Sequence, residues 1–563
     1  MTLNGDGINR HAEGAANEML GLVVGGSLGQ GLEIKLGGGN TWTTVEDVKV
    51  GSFVTIRGKK SRFFCVVTDV SLGGSDARLK HAPAGIQNPL IAEIVSGTIA
   101  YGTIAVLPTL TMPNILGDEA QGPVTTKTIP SHFSPVYTAT EEDVAMVFGE
   151  EDDRHFWIGT PLDMETKVCL NLDELVKRSI GVFGRSGTGK TFLTRLLLVG
   201  ILQGGQASSL IFDMHSEYGW SGRDADTNTM VKGLKQLFPS QVSTFTLDEE
   251  HSRRRGSSAD EVVRIGYSDI EPEDIELLRE TLDLSDVAAS ACYNLQREFG
   301  QQNWMKQFLD RQGPDIVELA SRLNVQPQAM AALHNRLSTR LGRFEFLGEK
   351  SPFDASAKVI EHLERGKHVV LEFGKYGNNL TAYILISNLL TRRIHNRYIE
   401  IKDAADGGQG RDPRPVVIVI EEAHKFLNPS VASQTIFGII AREMRKYNVT
   451  LMVIDQRPSA IDSEVMSQIG TRLTCSLDNE RDIDSVLSGV SGSRHLRGVI
   501  SRLEAKQQSL IFGDALPMPV VVHTRSYDET FYSQLEYGAG SRRSVVQGET
   551  SAERMEREIN ELF

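Results

Sequence analysis

The stretch SIGVFGRSGTGKTFLTRLLL, residues 179–198, constrains the fold more than any other part of this sequence. An apolar run, Ile180 to Phe183, leads into a glycine-rich segment, and an amphipathic helix is predicted from Thr191 onward. The segment matches the pattern G-x-x-x-x-G-K-[ST], whose glycines let backbone N–H groups surround a phosphate. A chance glycine-rich turn would also fit the letters alone. The order of strand, loop and helix favours a phosphate site in an α/β fold with a parallel sheet.

We therefore predict a nucleotide site built on this loop, with ATP and Mg²⁺ as cofactors. Lys190 is expected to reach the β- and γ-phosphates, and Thr191 is expected to ligate Mg²⁺. The N-terminus of the following helix adds a favourable dipole for the phosphates. The predicted nucleotide-binding residues of the loop and of the first helical turn are Gly184, Arg185, Ser186, Gly187, Thr188, Gly189, Lys190, Thr191 and Phe192.

Two adjacent carboxylates, Glu421 and Glu422, follow the β-branched apolar run Val416 to Ile420. A buried strand that ends in two like charges is costly unless a cation lies there. A phosphate loop needs such a carboxylate at the end of a neighbouring strand to hold Mg²⁺. Because consecutive strand residues point to opposite sides, we predict Glu421 as the metal-side residue and Glu422 as the residue that polarises the attacking water. Two solvated acids where a strand meets a loop are the alternative.

Further polar residues accompany the next predicted strand, VTLMVIDQ, residues 449–456. Gln456 at its end could sense the γ-phosphate, or it could simply cap the strand. Upstream, the amphipathic helix predicted over residues 436–448 places Arg442 and Arg445 three residues apart on one face. An arginine that enters a neighbouring subunit's site would stabilise transition-state charge, so each of the two is a candidate arginine finger. A solvated basic helix face is the alternative for each.

Composition narrows the class of protein. The chain has 563 residues, of which 40% are hydrophobic, as is ordinary for a soluble globular protein of several domains. Because the net charge is −14, any contact with nucleic acid must come from a local basic patch or a channel. The four cysteines have no metal-ligand spacing, which favours a reducing compartment. Neither a signal peptide nor an apolar run of membrane-span length is present, so we expect a cytoplasmic protein without membrane contact.

The hydrophobic pattern changes along the chain. Short glycine-punctuated strands, including a hairpin around residues 58–60, predict a small N-terminal β-barrel. Alternating strands and helices then predict a parallel sheet, which a group of amphipathic helices interrupts. Residues 402–415 are expected to form a surface loop. The predicted parts are the barrel (1–150), the first part of the ATPase core (151–257), an all-α insertion (258–350), the second part of the core (351–530), and a linker with a C-terminal helix (531–563).

The motifs GRSGTGKT, FDMHSEYGW, EEAHKFL and AREMRKYNVTLMVIDQRPSAID follow the barrel region in this order, and VVVHTRSYDE closes the series. From about residue 20 to about residue 530, the chain resembles the HerA-type hexameric DNA translocases, relatives of FtsK with a RecA-like P-loop core. The resemblance implies a homo-hexameric ring, a barrel of the kind shared with rotary ATP synthases, and ATP-driven movement along double-stranded DNA. It also implies a partner: a nuclease such as NurA in DNA end processing and repair, or another effector in phage defence.

The resemblance extends to individual residues. It implies that Asp213 and Glu217 of FDMHSEY lie near the nucleotide or the subunit interface, although both could simply cap the turn after their strand. Glu421 stands where many P-loop motors have Asp, so this chain departs from the family pattern at the metal-side residue. Candidate DNA-contacting residues outside these motifs are Arg253, Arg254, Arg255 and Lys375, each of which could equally be a solvated loop residue.

Two other functions stay open for such a chain. A motor for protein belongs to the same superfamily, but such ATPases usually carry membrane spans or partner-docking domains in place of an N-terminal barrel. A nucleotide-gated ring that mainly assembles and activates a partner effector would use the same nucleotide site. ATP hydrolysis stimulated by duplex DNA would favour the DNA motor, whereas partner assembly by a Glu422→Gln ring would favour the scaffold.

The end of the chain predicts a short helix. Thr550 and Glu553 form a capping box, and an apolar stripe runs along residues 552–562. Because a helix this short is marginal alone in water, we expect the stripe to dock on a neighbouring subunit. A frayed terminus is the alternative.

Overall fold

The computed structural model describes residues 18–37, 44–74, 100–114, 122–223, 230–349, 354–430, 432, 435–490 and 492–535. The side chains of Met444 and Arg445 also lie outside this description. An antiparallel barrel precedes a large mixed sheet flanked by helices, and a group of helices interrupts the sheet. The predicted fold class, an α/β P-loop core with an N-terminal β-barrel and an all-α insertion, is confirmed.

The N-terminal barrel consists of antiparallel strands. These are β1 (Met19–Ser27), β2 (Gly31–Leu36), β3 (Phe53–Arg57), β4 (Ser61–Gly74), β5 (Ala100–Pro113), β6 (Val124–Thr125) and β7 (Pro135–Thr138). The strand order is β2-β1-β7-β3-β4-β5-β6, and pairing of β5 with β2 closes the barrel. Because side chains alternate along each strand, Ile34, Ile56 and Val136 meet in a common core without solvent exposure. The predicted hairpin is confirmed, since the Gly58 N–H donates to the Ser61 carbonyl in the turn between β3 and β4.

The larger sheet has twelve strands in the part of the chain that the structure describes, and two short strand pairs lie outside it. Its strands are β8 (His155–Pro161), β9 (Val168–Asn171), β10 (Ser179–Phe183), β11 (Ser208–Asp213), β14 (Val242–Thr246), β15 (Glu261–Val262), β18 (His368–Glu372), β19 (Val416–Glu421), β20 (Val449–Asp455), β21 (Ile469–Thr474), β22 (Gln508–Gly513) and β23 (Val520–Thr524). The short pairs are β12 (Gly222–Arg223) with β13 (Met230–Val231), and β16 (Ile265–Gly266) with β17 (Leu347–Gly348).

The strand order brings the predicted site residues to one edge of the sheet. The order is β15-β14-β18-β11-β19-β20-β10-β21-β22-β23-β8-β9, with the first eight strands parallel and the last four antiparallel. Phe183 of β10 lies opposite Asp455 of β20, and Ile454 lies opposite Glu421 of β19. Strand β20 therefore separates β19, which leads to the two glutamates, from the phosphate-loop strand β10. The sequence analysis predicts that these two strands are neighbours, which is wrong. Gln456 directly follows β20, the strand that lies between β19 and β10.

Both faces of this sheet are covered by apolar packing, and helices supply most of it. The helices are α1 (Glu141–Phe148), α2 (Leu172–Lys177), α3 (Lys190–Gly204), α4 (Leu234–Leu237), α5 (Glu249–Arg254), α6 (Pro272–Leu277), α7 (Arg279–Leu282), α8 (Asp286–Phe299), α9 (Trp304–Leu309), α10 (Gly313–Arg322), α11 (Pro327–Arg336), α12 (Ala355–Glu364), α13 (Leu380–Asp406), α14 (His424–Leu427), α15 (Ile436–Glu443), α16 (Ser463–Gln468), α17 (Glu480–Val486) and α18 (Ser493–Ile500). In β19, Ile418 and Ile420 join one core, whereas Val417 and Val419 join the other. A strand covered on both faces needs the continuous apolar run that the sequence shows.

Helices α6 to α11 form the all-α insertion, which a buried acid anchors to α13. The Asn388 amide donates to one oxygen of Asp274 at 2.8 Å, and the Arg392 guanidinium donates to the other at 2.8 Å. Asp274 is buried, so this charge-assisted pair fixes the insertion to the core. Residues 261–262 still form the edge strand β15, so the segment predicted as an insertion from residue 258 begins with a piece of the core sheet.

Two predicted segments end at different residues. Helix α13 runs to Asp406, into the predicted surface loop at 402–415, because Lys402 pairs with Asp406 one turn later at 2.8 Å. Helix α15 ends at Glu443, and residues 444–447 form a 3-10 turn. Asn448 then takes a left-handed φ of 59°, which turns the chain into β20. The helix predicted over residues 436–448 is therefore shorter.

The end of the core extends beyond its predicted boundary at residue 530. Residues 529–535 are helical, and Phe531, Tyr532 and Leu535 are buried in the same apolar core as α3. The rest of the predicted linker and the capping-box helix, residues 536–563, lies outside the described residues. Within the described ranges, no helix is both long enough and apolar enough to cross a bilayer.

Candidate nucleotide-binding site

The loop between β10 and α3 depends on glycine for its shape. Gly187 and Gly189 adopt left-handed φ values of 75° and 94°, which other residues adopt only with strain. At Gly184, a side chain would meet Thr188 Oγ1 at 2.7 Å and Cys475 Cβ at 2.8 Å. The loop can therefore close tightly and present its backbone to a phosphate.

Lys190 begins α3 and folds back over the loop. Its Nζ donates to the Arg185 carbonyl at 2.8 Å, and Thr188 Oγ1 donates to the same oxygen at 2.8 Å. Burial lowers the pKa of the Lys190 ammonium, while Cys475 and the strand-end carboxylates oppose this effect. A phosphate oxygen in place of the carbonyl would compensate the charge more fully.

The remaining loop residues differ in exposure. Arg185 and Ser186 are exposed, and the Arg185 guanidinium pairs with Asp478 at 2.5 Å. Thr191 and Phe192 are half-buried in the first turn of α3, where backbone N–H groups have no partner within the helix. Their positions allow the predicted contacts with phosphate and Mg²⁺, which stay predictions.

Glu421 is held by two buried tyrosines that the sequence analysis missed. The Tyr218 hydroxyl donates to Glu421 Oε1 at 2.8 Å. The Tyr383 hydroxyl donates to the Glu421 carbonyl at 3.0 Å and accepts from its N–H at 3.2 Å. The other carboxylate oxygen, Oε2, is out of solvent contact and has no hydrogen-bond partner among the residues that the structure describes.

The unpartnered Oε2 of Glu421 shows whether Mg²⁺ fits this site. An unpartnered buried oxygen is costly, and burial together with the charges of Asp213 and Glu217 raises the pKa of Glu421 to about 8. A divalent cation would satisfy the oxygen and compensate the charge at once. Glu421 therefore fits the metal-side role, and the Thr191 hydroxyl is the second protein group that the motif provides.

Asp213, the last residue of β11, organises the loop that follows it. Its carboxylate accepts the N–H groups of Glu217 at 2.8 Å, Tyr218 at 2.9 Å and Gly219 at 3.3 Å. Asp213 thus caps the turn, which is one of the two alternatives from the sequence. The Glu217 carbonyl accepts from the Arg195 guanidinium of α3, and the loop is thereby tied to the phosphate-binding helix. Contact of Asp213 or Glu217 with a nucleotide stays a prediction.

Glu422 leaves the strand with a left-handed φ of 48°, an uncommon conformation for a residue with a side chain. Its Oε1 accepts from the Gln456 amide at 3.4 Å, and its Oε2 lies 3.6 Å from His424 Nδ1. With 35% of the side chain exposed, water can reach this carboxylate. The two glutamates therefore turn to different partners, and their predicted roles at the metal and at the attacking water stay predictions.

Asp455 and His424 complete this side of the site. Asp455 accepts from the His424 N–H at 2.7 Å, from His424 Nδ1 at 2.9 Å and from the Arg457 N–H at 2.7 Å. Although burial acts to raise the pKa of Asp455, these hydrogen bonds hold it below its ordinary value. In the sequence, Asp455 directly precedes Gln456, His424 lies two residues after Glu422, and Tyr218 directly follows Glu217. Tyr383 comes from another element and gives no sequence signal.

The candidate arginine fingers are only partly described. In Arg442, one guanidinium nitrogen donates to the Ala432 carbonyl at 3.2 Å, and another lies 3.6 Å from the Glu464 carboxylate. Arg442 therefore has contacts within its own chain. Arg445 follows the end of α15, so the predicted common helix face does not extend to it, and its side chain lies outside the described residues. Action on a neighbouring subunit stays a prediction for both.

The candidate DNA-contacting residues are paired within the chain. Arg253 and Arg254 of α5 each pair with the glutamate four residues earlier, and Arg255 donates to a backbone carbonyl at 3.1 Å. Lys375 pairs with a glutamate at 2.7 Å. Exposed pairs of this kind exchange partners at little cost, so contact with DNA stays a prediction.

Three features together define a RecA-like P-loop fold. A phosphate loop follows the central parallel strand β10, two glutamates lie at the end of β19, and a polar amide follows β20 between these two strands. Residues 156–394 match the family model for the central domain of the helicase HerA, and residues 20–115 match the HAS barrel domain. The barrel and the central part of the core therefore resemble HerA helicases in sequence.

Relatives with known names are distant in sequence. The DNA double-strand break repair helicase HerA of Pyrococcus furiosus is 23% identical over 416 residues, which cover 70% of this chain and 73% of that protein. The protein of the same name from Saccharolobus solfataricus is 24% identical over 397 residues, covering 69% and 72%. Among solved structures, VirB4 of Thermoanaerobacter pseudethanolicus has 12% identity and a TM-score of 0.42, covering 67% of this chain and 98% of that one.

Proposed function

We propose that this protein is an ATP-driven motor that moves double-stranded DNA through a homo-hexameric ring. It works with a partner nuclease of the NurA kind, or with another effector, in DNA end processing, repair or phage defence. The observation that carries the proposal is a buried Glu421 oxygen without a partner among the described residues, at the same sheet edge as the phosphate loop, in a chain whose relatives are named DNA double-strand break repair helicases. Such an arrangement suits a motor that binds and hydrolyses ATP with Mg²⁺.

Each residue of the nucleotide site has a separate role in the proposed ATP hydrolysis. Lys190 binds the β- and γ-phosphates, and Thr191 with Glu421 would hold Mg²⁺, which neutralises charge between the phosphates. Glu422 polarises the attacking water, because it is the strand-end carboxylate that solvent reaches. Gln456, which donates to Glu422, would contact the γ-phosphate.

The arginine fingers and the DNA channel of this proposal require the assembled ring. Arg442 or Arg445 of one subunit would stabilise transition-state charge at the site of the next subunit. DNA in the channel would meet a local set of basic side chains, since the whole chain carries a net charge of −14. The four cysteines are free and buried, which supports a reducing compartment such as the cytoplasm.

ATP hydrolysis measured with and without duplex DNA tests this function. The preparation must first be confirmed as a hexamer by light scattering. We expect duplex DNA to stimulate turnover, and the stimulation to fall steeply with rising salt and to depend little on base sequence. A confirmed hexamer whose turnover is indifferent to DNA at low salt contradicts the motor.

The same preparation separates the motor from the two other functions. Partner assembly that proceeds equally well on a Glu422→Gln ring supports a nucleotide-gated scaffold. Turnover stimulated by an unfolded polypeptide, and not by DNA, supports a protein-translocating ATPase. Purification of the native complex followed by mass spectrometry identifies the partner nuclease or effector.

A further inference from the structure

Tyr218 is a buried tyrosine whose hydroxyl serves a charged group of the site. Its side chain has no solvent exposure, and its hydroxyl donates to Glu421 Oε1 at 2.8 Å. Tyr218 comes from the loop after β11, not from the strand that carries Glu421. A buried hydroxyl aimed at a carboxylate from another element fixes the orientation of that carboxylate.

Both partners of this hydrogen bond are themselves held. Asp213 accepts the Tyr218 N–H at 2.9 Å, which sets the backbone of the tyrosine. Tyr383 contacts both backbone groups of Glu421, which sets the backbone of the glutamate. With both backbones and Oε1 fixed, Oε2 is the carboxylate oxygen of Glu421 that has no partner in the described part of the chain.

We propose that Tyr218 is a positioning residue for Mg²⁺: by holding Oε1 of Glu421, it leaves Oε2 turned toward the metal that accompanies ATP. The proposal rests on the nucleotide-binding function proposed above. It also accounts for glutamate at a position where aspartate is commoner. A side chain shorter by one methylene would draw its oxygens back from the Tyr218 hydroxyl, and the orientation would be lost.

Tyr218→Phe removes only the hydroxyl, and binding of a fluorescent ATP analogue measures the result without turnover. In EDTA, we expect the affinity of the variant for the nucleotide to equal that of the unchanged protein. In a Mg²⁺ titration, we expect half-saturation at about tenfold higher Mg²⁺, the lower end of what loss of an outer-shell partner costs. Mn²⁺ binding followed by electron paramagnetic resonance gives the same comparison with the metal itself.

Tyr398→Phe is the matched control. Tyr398 is also buried without solvent exposure, and its hydroxyl has no hydrogen-bond partner within the described ranges. Its removal should leave the Mg²⁺ half-saturation unchanged. In a Glu421→Asp background, Tyr218→Phe should add no further loss, because the hydrogen bond to the carboxylate is already broken.

An unchanged Mg²⁺ half-saturation in Tyr218→Phe, with the thermal midpoint of the unchanged protein, overturns the positioning role. An equal loss of affinity in EDTA and in Mg²⁺ overturns it too, since the tyrosine would then act on the nucleotide or the fold. The proposed function fails separately, if the unchanged protein binds no nucleotide or if Lys190→Ala binds it as well as the unchanged protein does.

Discussion

The Gln456 amide donates to the Glu422 carboxylate across 3.4 Å, although the two residues follow different strands, β20 and β19. Strand β20 lies between β19 and the phosphate-loop strand β10, so Gln456 stands between the phosphate loop and Glu422. An amide in this place can either hold the carboxylate or donate to a phosphate oxygen. In the proposed sensor role of Gln456, a bound γ-phosphate would compete with Glu422 for this amide and so alter the orientation of the carboxylate.

Gln456→Glu tests this link with little change of shape. The variant places a second carboxylate beside Glu422, and like charges at this separation repel. We expect ATP turnover to fall by about tenfold or more, with a smaller effect on nucleotide affinity. Gln456→Ala, which removes the amide without adding charge, should lose less activity. Equal losses in the two variants, measured as steady-state ATP hydrolysis, would contradict a role for charge between these residues.

Lys190→Ala and Glu422→Gln separate binding from hydrolysis. Without the ammonium, ATP turnover should be abolished. Glu422→Gln should still bind ATP and hydrolyse it about a hundredfold more slowly, because the amide cannot accept the proton of the attacking water. Single-turnover hydrolysis and binding of labelled ATP measure the two effects. Glu349→Gln, which changes an exposed glutamate paired with Lys306, serves as the control. Near-normal turnover by Glu422→Gln would transfer the role to Glu421.

Mixed rings test whether an arginine acts on the neighbouring subunit. An arginine finger contributes about a thousandfold or more in rate, so Lys190→Ala and Arg445→Ala should each be inactive alone. Mixed together, they form some sites with a complete set of residues, and activity should return. The same mixture with Arg442→Ala decides between the two arginines. If subunits exchange and neither mixture regains activity, action in trans is excluded.

A purely structural role of Arg442 would give a different result in the mixing experiment. It contacts the Ala432 carbonyl and lies 3.6 Å from Glu464 within its own chain. If these contacts are its whole role, Arg442→Ala lowers the thermal midpoint, and mixing with Lys190→Ala restores nothing.

Glu372 gives the fold a dependence on pH. Burial, together with the charge of Asp213, raises the pKa of Glu372 from 4.5 to about 7, while Ser252 and Arg255 act in the opposite direction. Because the folded pKa is raised, the protonated carboxyl stabilises the fold at low pH, and this contribution is lost as pH rises through about 7. Glu372→Gln copies the protonated form. Relative to the unchanged protein, the variant should gain stability on the order of 2 kcal/mol between about pH 5 and about pH 8.

Thermal unfolding at a series of pH values measures this gain. The midpoint of Glu372→Gln should exceed that of the unchanged protein at the alkaline end and approach it at the acid end. A difference that stays constant across the series would mean that Glu372 does not titrate in this range.

The sequence predicted the parts of the site that follow local rules. The phosphate loop carries its own pattern, and the apolar run before Glu421 marks a strand covered on both faces. The barrel hairpin, the helical insertion and the polar residue after β20 are also local patterns. Each depends on residues close together in the chain, which is where propensity and periodicity act.

The rest depended on contacts between distant segments. Tyr218 and Tyr383 are 203 and 38 residues away from Glu421, and nothing in their local sequence marks them as its partners. The left-handed conformation of Glu422 is imposed by the chain around it, not by a turn residue such as glycine. Strand order is likewise invisible to periodicity, so the sequence alone does not predict that β20 lies between β10 and β19.

The pairing of β23 with β8 has a consequence for how such chains diversify. Thr524 near the end of the core lies opposite Gly159 near its start. The chain therefore enters and leaves the ATPase core through neighbouring strands at one side of the sheet. Because the two ends of this unit lie close together, recombination can replace the segment before it or the segment after it without changing the strand order of the sheet. The flanking segments can then change while the nucleotide-binding site is inherited intact.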